Sequence, residues 1–240
     1  MGRLAVIGGH GVIDVAVGTL ARGAPRWRQV PVPGGPVELL DAGDWVFLQR
    51  HRQPDHRPAP FLDHHAHAHA LAVAGCDRVL ALGSCGGLRP DLVPGTSLVP
   101  DDVVALAAQP DSRFRDERAL RVPGFDPAWR ARVCATWNRH AEPPARDGGV
   151  YAQTVGPRFE TPAEVRGLAA TADVVGMTVG SELVACAERD LAYAAVVTVD
   201  NLANGIAPAP LTVAEFETGR LASAAMLTDV LRRVVPELAA

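Results

Sequence analysis

The feature that most constrains this chain is a recurring unit. A strand-length apolar run closes in a glycine- or charge-bearing turn, and a helical stretch or another run follows. Leu4-Ala5-Val6-Ile7 leads into Gly8-Gly9-His10-Gly11, and a strand expected over 44–49 leads into Arg50-His51. A run over 77–82 leads into Gly83-Ser84-Cys85-Gly86-Gly87. Further strands are expected over 150–154, 173–177 and 194–199, with a strand or hairpin over 93–104 interrupted by Pro94-Gly95. Helices are expected over 62–75, 127–140, 162–170 and 181–190. A last helix starts at Thr212, where Thr212-Val213-Ala214-Glu215 fits a capping box, and runs to about 235. Strands that alternate with helices over one domain length specify an α/β fold with helices on both faces of a sheet, as a single domain over 1–240. Two polar stretches stand apart: a loop over 50–60, and a Pro- and Arg-rich segment over 107–127 long enough to serve as a lid.

Open α/β sheets collect ligands at the carboxyl ends of their strands. Four unusual segments fall there, residues 8–11, 50–56, 83–87 and 200–205. The Gly8–Gly11 turn can present backbone N–H groups to an anion, although it lacks the G-x-G-x-x-G dinucleotide fingerprint. Arg50 offers a fork that matches phosphate, and His51 adds a donor. The small residues around Ser84 let a ligand approach the backbone, and Cys85 reads as packing rather than nucleophile. Phe159-Glu160 pairs a stacking ring with a carboxylate that accepts heterocycle N–H groups, or Glu160 is simply a charge before a helix. Thr178 can donate to phosphate or cap a helix, and Met177 can lie along a sugar. Asn201 carries both a donor and an acceptor, which suits the O6/N7 edge of a 6-oxopurine; a turn is the alternative for Asp200-Asn201.

Composition closes off other classes. The net charge is −4 with no basic run, which argues against nucleic acid as a partner. All 23 basic residues are Arg, so an anion must be held by Arg, His or backbone N–H. No apolar run reaches membrane-span length, no secretory leader is evident, and the four Cys read as free thiols of a reducing cytoplasm. His64, His65, His67 and His69 invite a metal reading, but no acidic or Cys ligand accompanies them at useful spacing, so a helix packed near the site is expected and no metal.

Taken in order along nearly the whole chain, these segments resemble the trimeric purine nucleoside phosphorylase and methylthioadenosine phosphorylase family. The stretch Gly149-Val150-Tyr151 through Gly156-Pro157-Arg158-Phe159-Glu160-Thr161 is similar to that family's most recognisable signature. Ile7–Gly11 looks like its first phosphate loop, Arg50-His51 its phosphate pair, and Gly83–Arg89 its small-residue loop. Val175–Thr178 with Glu182 looks like its Met-Ser/Thr motif, and Asp200–Gly205 its base loop. The resemblance implies a twisted, mixed central sheet flanked by helices, a homotrimer, and phosphorolysis of a purine nucleoside to base and pentose 1-phosphate, with phosphate as co-substrate and no metal or other cofactor. It assigns phosphate to Gly9, His10, Arg50, His51, Ser84 and Thr178, the ribose to Met177, the base to Phe159, Glu160 and Asn201, and catalytic roles to Asn201 and His51. Asn201 with Glu160 points to a 6-oxopurine, in a nucleoside of the inosine, guanosine or methylthioinosine type. Two departures stand out: His10 replaces the usual Thr or Ser, and Gly180-Ser181 replaces Val-Pro. His10 keeps a nucleoside hydrolase open as an alternative, and a non-catalytic purine-binding protein is the other reading.

Overall fold

Apolar residues at successive positions of a strand point to opposite faces, so a run apolar throughout must be covered on both sides. That is how the centre of this protein is built. The computed structural model describes residues 2–12, 15, 17–21, 23–51, 56–106, 112–207, 209 and 211–240. Strands β1 (Arg3–Gly8), β4 (Trp45–Gln49), β5 (Cys76–Gly87) and β11 (Ala192–Leu202) lie side by side and parallel. Their alternate residues feed two separate cores. Ala5, Ile7, Val46, Leu48, Val79, Ala81, Ala195 and Val197 meet helices α1 (His64–Val73) and α4 (Val179–Ala187). Leu4, Val6, Trp45, Phe47, Leu80, Leu82, Ala194 and Val196 meet α2 (Pro127–His140) and α5 (Val213–Ala239) on the opposite face.

The sheet is mixed, as the resemblance implies, and has eleven strands among the described residues. Strand β5 is its hinge. Its first half lies between β1 and β11, while Gly86 and Gly87 pair antiparallel with β10 (Val174–Gly176) and still keep β11 on the other side. The glycine run that reads as a turn from sequence is therefore a strand changing partners. The expected 93–104 hairpin is also revised. It comprises β6 (Ser97–Val99), paired with β11 and with β8 (Arg146–Asp147), and β7 (Asp102–Val104), paired with β9 (Val150–Gln153). The hairpin β2 (Arg26–Val30) and β3 (Val37–Asp41) extends the sheet beyond β4.

Helix boundaries follow from capping chemistry. Asp63 accepts the Ala66 N–H at 2.9 Å and starts α1, and Asp126 accepts the Trp129 N–H at 2.7 Å with Pro127 opening α2. Capping boxes Thr161/Glu164 and Thr212/Glu215 start α3 (Pro162–Leu168) and α5, the second as read from sequence. Within the expected lid, residues 117–120 make a single 3-10 turn, while 107–111 lie outside the described residues, as do 52–55 of the 50–60 loop. Among the described residues no helix is long and apolar enough to cross a membrane.

Candidate active site

The four segments singled out at the carboxyl ends of the strands do converge. His10, Arg50, His51, Ser84, Asn201 and Asn204 line one cavity of about 320 Å³ with Phe159, Glu160, Met177 and Thr178. Gly9 stands just behind the wall: a Cβ there would lie 2.9 Å from the Leu82 carbonyl oxygen and 3.1 Å from Arg50 Nη1, so a side chain cannot fit beside the guanidinium.

One wall is organised around Arg50, which is 2 % exposed. Its Nη1 donates to Thr178 Oγ1 at 2.7 Å, its Nη2 to the Leu82 carbonyl at 3.0 Å, and its Nε faces Glu182 Oε1 at 2.8 Å. The Tyr193 hydroxyl donates to the other oxygen of Glu182 at 2.8 Å. Burial pushes the Glu182 carboxyl up, opposed by the Arg50 guanidinium and the Tyr193 hydroxyl. The guanidinium is thus held by two hydrogen bonds, to the start of α4 and to β5, and by the ion pair with Glu182 of α4, which locks its plane. Thr178 stands at the N-cap of α4 but makes no side-chain capping bond, so ordinary capping does not account for it. Ser181, in place of the usual Pro, donates its N–H to Gln153 Oε1 at 2.8 Å and takes Gln153 Nε2 on its hydroxyl. A proline could not make the first of these bonds.

Three imidazoles sit beside Arg50. His10 and His51 have ring centroids 4.2 Å apart, and His56 stacks on His51 at 5.6 Å with its plane 12° away. His51 Nδ1 lies 2.9 Å from the Arg57 carbonyl, which fixes that nitrogen as the N–H. Burial, with His56, Arg220 and Arg50 nearby, lowers His10 to about 4 against the pull of Glu217. Burial, then His10 and Arg50, lower His51 to about 3 against its bond to Arg57. Both rings are neutral at pH 7.

Another wall carries Phe159, Glu160 and Asn201. Glu160 is buried, and its Oε1 accepts from Thr154 Oγ1 at 2.6 Å. Thr161 and Glu164, not Glu160, form the helix cap, so the reading of Glu160 as a helix-terminal charge is set aside. Asn204 ties the wall together, its Nδ2 donating to the Glu160 carbonyl at 2.9 Å and its Oδ1 accepting the Leu211 N–H at 3.0 Å. Phe159 packs edge-on to Phe216 of α5 at 5.4 Å. Asp200-Asn201 is not a turn. Val199 and Asn201 pair with the adjacent Cys85 and Gly86, so Asp200 is the extra residue of a β-bulge. Asp200 is buried and accepts from both Ser84 Oγ and Ser223 Oγ, the latter at 2.7 Å. Burial raises the Asp200 carboxyl, and the two hydroxyls oppose the shift. The bulge turns Asn201 into the cavity, where its Nδ2 donates to the Leu202 carbonyl at 2.9 Å.

Cys85 is buried, with its Sγ 3.3 Å from the Thr198 carbonyl, and burial raises its thiol, as a packing residue requires. Helix α1 does pack beside the site. Besides the capping Asp63, carboxylates reach its histidines from α4 and its end: Glu182 Oε1 lies 3.9 Å from His64 Nδ1, and Glu188 Oε2 lies 3.4 Å from His65 Nδ1. Sequence spacing gives no sign of His56, which joins His10 and His51 only in three dimensions.

Comparison with known proteins bears on this cavity. The sequence pattern of the phosphorylase superfamily matches residues 26–236. A probable S-methyl-5'-thioinosine phosphorylase of Pseudomonas syringae pv. tomato is 34% identical over 223 residues, covering 89% of this chain and 90% of that protein. A probable 6-oxopurine nucleoside phosphorylase of Archaeoglobus fulgidus is 32% identical over 207 residues, covering 85% of this chain and 83% of that protein. In fold, methylthioadenosine phosphorylase from Schistosoma mansoni in complex with adenine superimposes with a TM-score of 0.81 at 22% identity, over 98% of this chain and 91% of that one.

Proposed function

Because the chain belongs to the phosphorylase superfamily, we propose that it cleaves the N-glycosidic bond of a 6-oxopurine nucleoside with phosphate. The observation that carries this reading is the joining, in one cavity, of a locked Arg50 wall and a Glu160–Asn201 wall. The relatives named as 6-oxopurine nucleoside and methylthioinosine phosphorylases support it. The C1′–N9 bond breaks with its electron pair leaving on the base, and a phosphate oxygen then bonds to C1′. The products are the free base and a pentose 1-phosphate, and phosphate is the only co-substrate the reaction needs.

Each wall has a role in that step. Arg50, with Thr178, Ser84, His51, His10 and the Gly9 backbone, holds the phosphate beside the sugar, where its negative charge favours the developing oxocarbenium ion. Neutral His10 serves as an N–H donor rather than as a cation, while His51, whose N–H is spent on the Arg57 carbonyl, meets the phosphate through its Nε2 lone pair, which accepts from a phosphate hydroxyl. Met177 borders the ribose. Phe159 stacks on the base, and the Asn201 amide donates at its O6/N7 edge, which selects a 6-oxo group and stabilises the departing purine. A 6-oxopurine carries a proton on N1 that the Glu160 carboxylate accepts. A 6-aminopurine presents a bare N1 lone pair to the same carboxylate and is disfavoured. The reading extends to a homotrimer, a cytoplasmic location and a part in purine salvage, all carried by the resemblance.

A nucleoside panel tests the base assignment. With phosphate present, base release from inosine, guanosine and 5′-methylthioinosine is expected to exceed that from adenosine and 5′-methylthioadenosine. Asn201→Asp replaces the amide donor with an acceptor, so the inosine-to-adenosine ratio of kcat/KM should fall by roughly 10- to 100-fold, the worth of one hydrogen bond to a charged group. An unchanged ratio would remove Asn201 from base recognition.

A further inference from the structure

We propose that His10, His51 and His56 form a binding site for a divalent transition cation of the zinc or cobalt class, at the edge of the cavity. A ring nitrogen from each lies within 4.8 Å of the other two. His10 Nε2 and His56 Nε2 are 3.1 Å apart, close to the ~3.3 Å edge of a tetrahedral site with Zn–N bonds of about 2.0–2.1 Å. The Arg57 carbonyl holds the Nδ1–H of His51 and leaves its Nε2 with a lone pair, the arrangement by which metal-binding imidazoles are oriented from behind. Three imidazoles without thiolate or carboxylate suit zinc, cobalt, nickel or copper(II) rather than magnesium or calcium. The neighbouring guanidiniums are each paired, Arg50 with Glu182 at 2.8 Å and Arg220 with Glu217 at 2.9 Å, which reduces their repulsion of a cation. Three protein ligands leave coordination positions for water or an anion, and all three histidines border the cavity.

The inference does not rest on phosphorolysis, and its test reads the metal directly. Protein without a polyhistidine tag, stripped with a chelator and dialysed, is titrated with Co²⁺ and followed by visible absorption. One equivalent of Co²⁺ per chain should develop ligand-field bands that Zn²⁺ abolishes. His10→Ser and His56→Gln should each weaken Co²⁺ binding at least about tenfold. His56 is exposed, so its replacement leaves the core intact, and circular dichroism checks the fold of both variants. His140→Gln, which removes a separate histidine paired with Glu237 at 2.8 Å, should leave the bands unchanged. Absent bands in the parent protein, bands that survive both substitutions, or bands lost in His140→Gln would each overturn the proposal.

Discussion

Arg50→Ala is expected to lose phosphate recognition and a large part of the protein's stability together. The guanidinium is 2 % exposed and ion-paired through Nε with Glu182, which is equally buried. Removing one member of a buried ion pair leaves the other charge uncompensated, at about 3–5 kcal/mol. For a chain of this size that is a fall in Tm on the order of 10 °C. Charge-assisted hydrogen bonds to phosphate are worth about 1.5–3 kcal/mol each, so the phosphate KM should rise at least about tenfold. The two effects can be separated. In Arg50→Met/Glu182→Leu/Tyr193→Phe the network Arg50–Glu182–Tyr193 becomes apolar, no charge of the pair is left over, and most of the lost Tm should return. Phosphate recognition should not return with it. Thermal melts and phosphate saturation curves on the parent, the single variant and the triple variant check this. A triple variant that recovers phosphate use would show that the guanidinium holds no anion.

Gly219→Ala should destabilise the protein even though alanine is the better helix former by about 1 kcal/mol. A Cβ at Gly219 would lie 2.0 Å from the Asp200 carbonyl oxygen and 2.9 Å from its carbonyl carbon, backbone atoms that cannot rotate aside. Helix α5 therefore rides directly on the bulge that aims Asn201. Separating them costs about 1–3 kcal/mol by the usual toll of overpacking. The bulge moves too, so kcat/KM for the nucleoside should fall more than the loss of stability accounts for. Gly167→Ala is the contrast. Gly167 lies in exposed α3 with nothing within 4 Å of the added Cβ, so it should gain stability of about 0.5–1 kcal/mol with unchanged kinetics. Urea melts and initial rates on both variants decide it. A stabilised Gly219→Ala would contradict the close approach of α5 to Asp200.

These two sites mark where the sequence was legible and where it was not. Runs such as Leu4–Ile7 and Trp45–Leu48 announce themselves because a parallel strand covered on both faces must be apolar at every position. Strand β2 gives no such signal, since of its five residues only Val30 is buried. The glycines of 83–87 suggest a turn because sequence alone does not tell a chain that turns from a strand that bends and exchanges β1 for β10. Cavity membership was readable for His10, Arg50, His51, Glu160, Thr178 and Asn201, whose residue types suit the ends of strands in this kind of sheet. The supports behind them were not readable. Arg50 follows β4, Glu182 lies in α4 and Tyr193 in β11, and Asp200 of β11 sits between Ser84 of β5 and Ser223 of α5. Such contacts exist only once the chain has folded.

The proposed reaction turns on phosphate as the acceptor of the pentosyl group. Hypoxanthine release from inosine, measured in phosphate-free buffer and then across rising phosphate, tests this most directly when the sugar product is identified in the same samples. The account predicts negligible release without phosphate, saturation as phosphate rises, and one pentose 1-phosphate for each base released. Equal rates with and without phosphate, with free pentose as the product, would contradict it and make the protein a hydrolase.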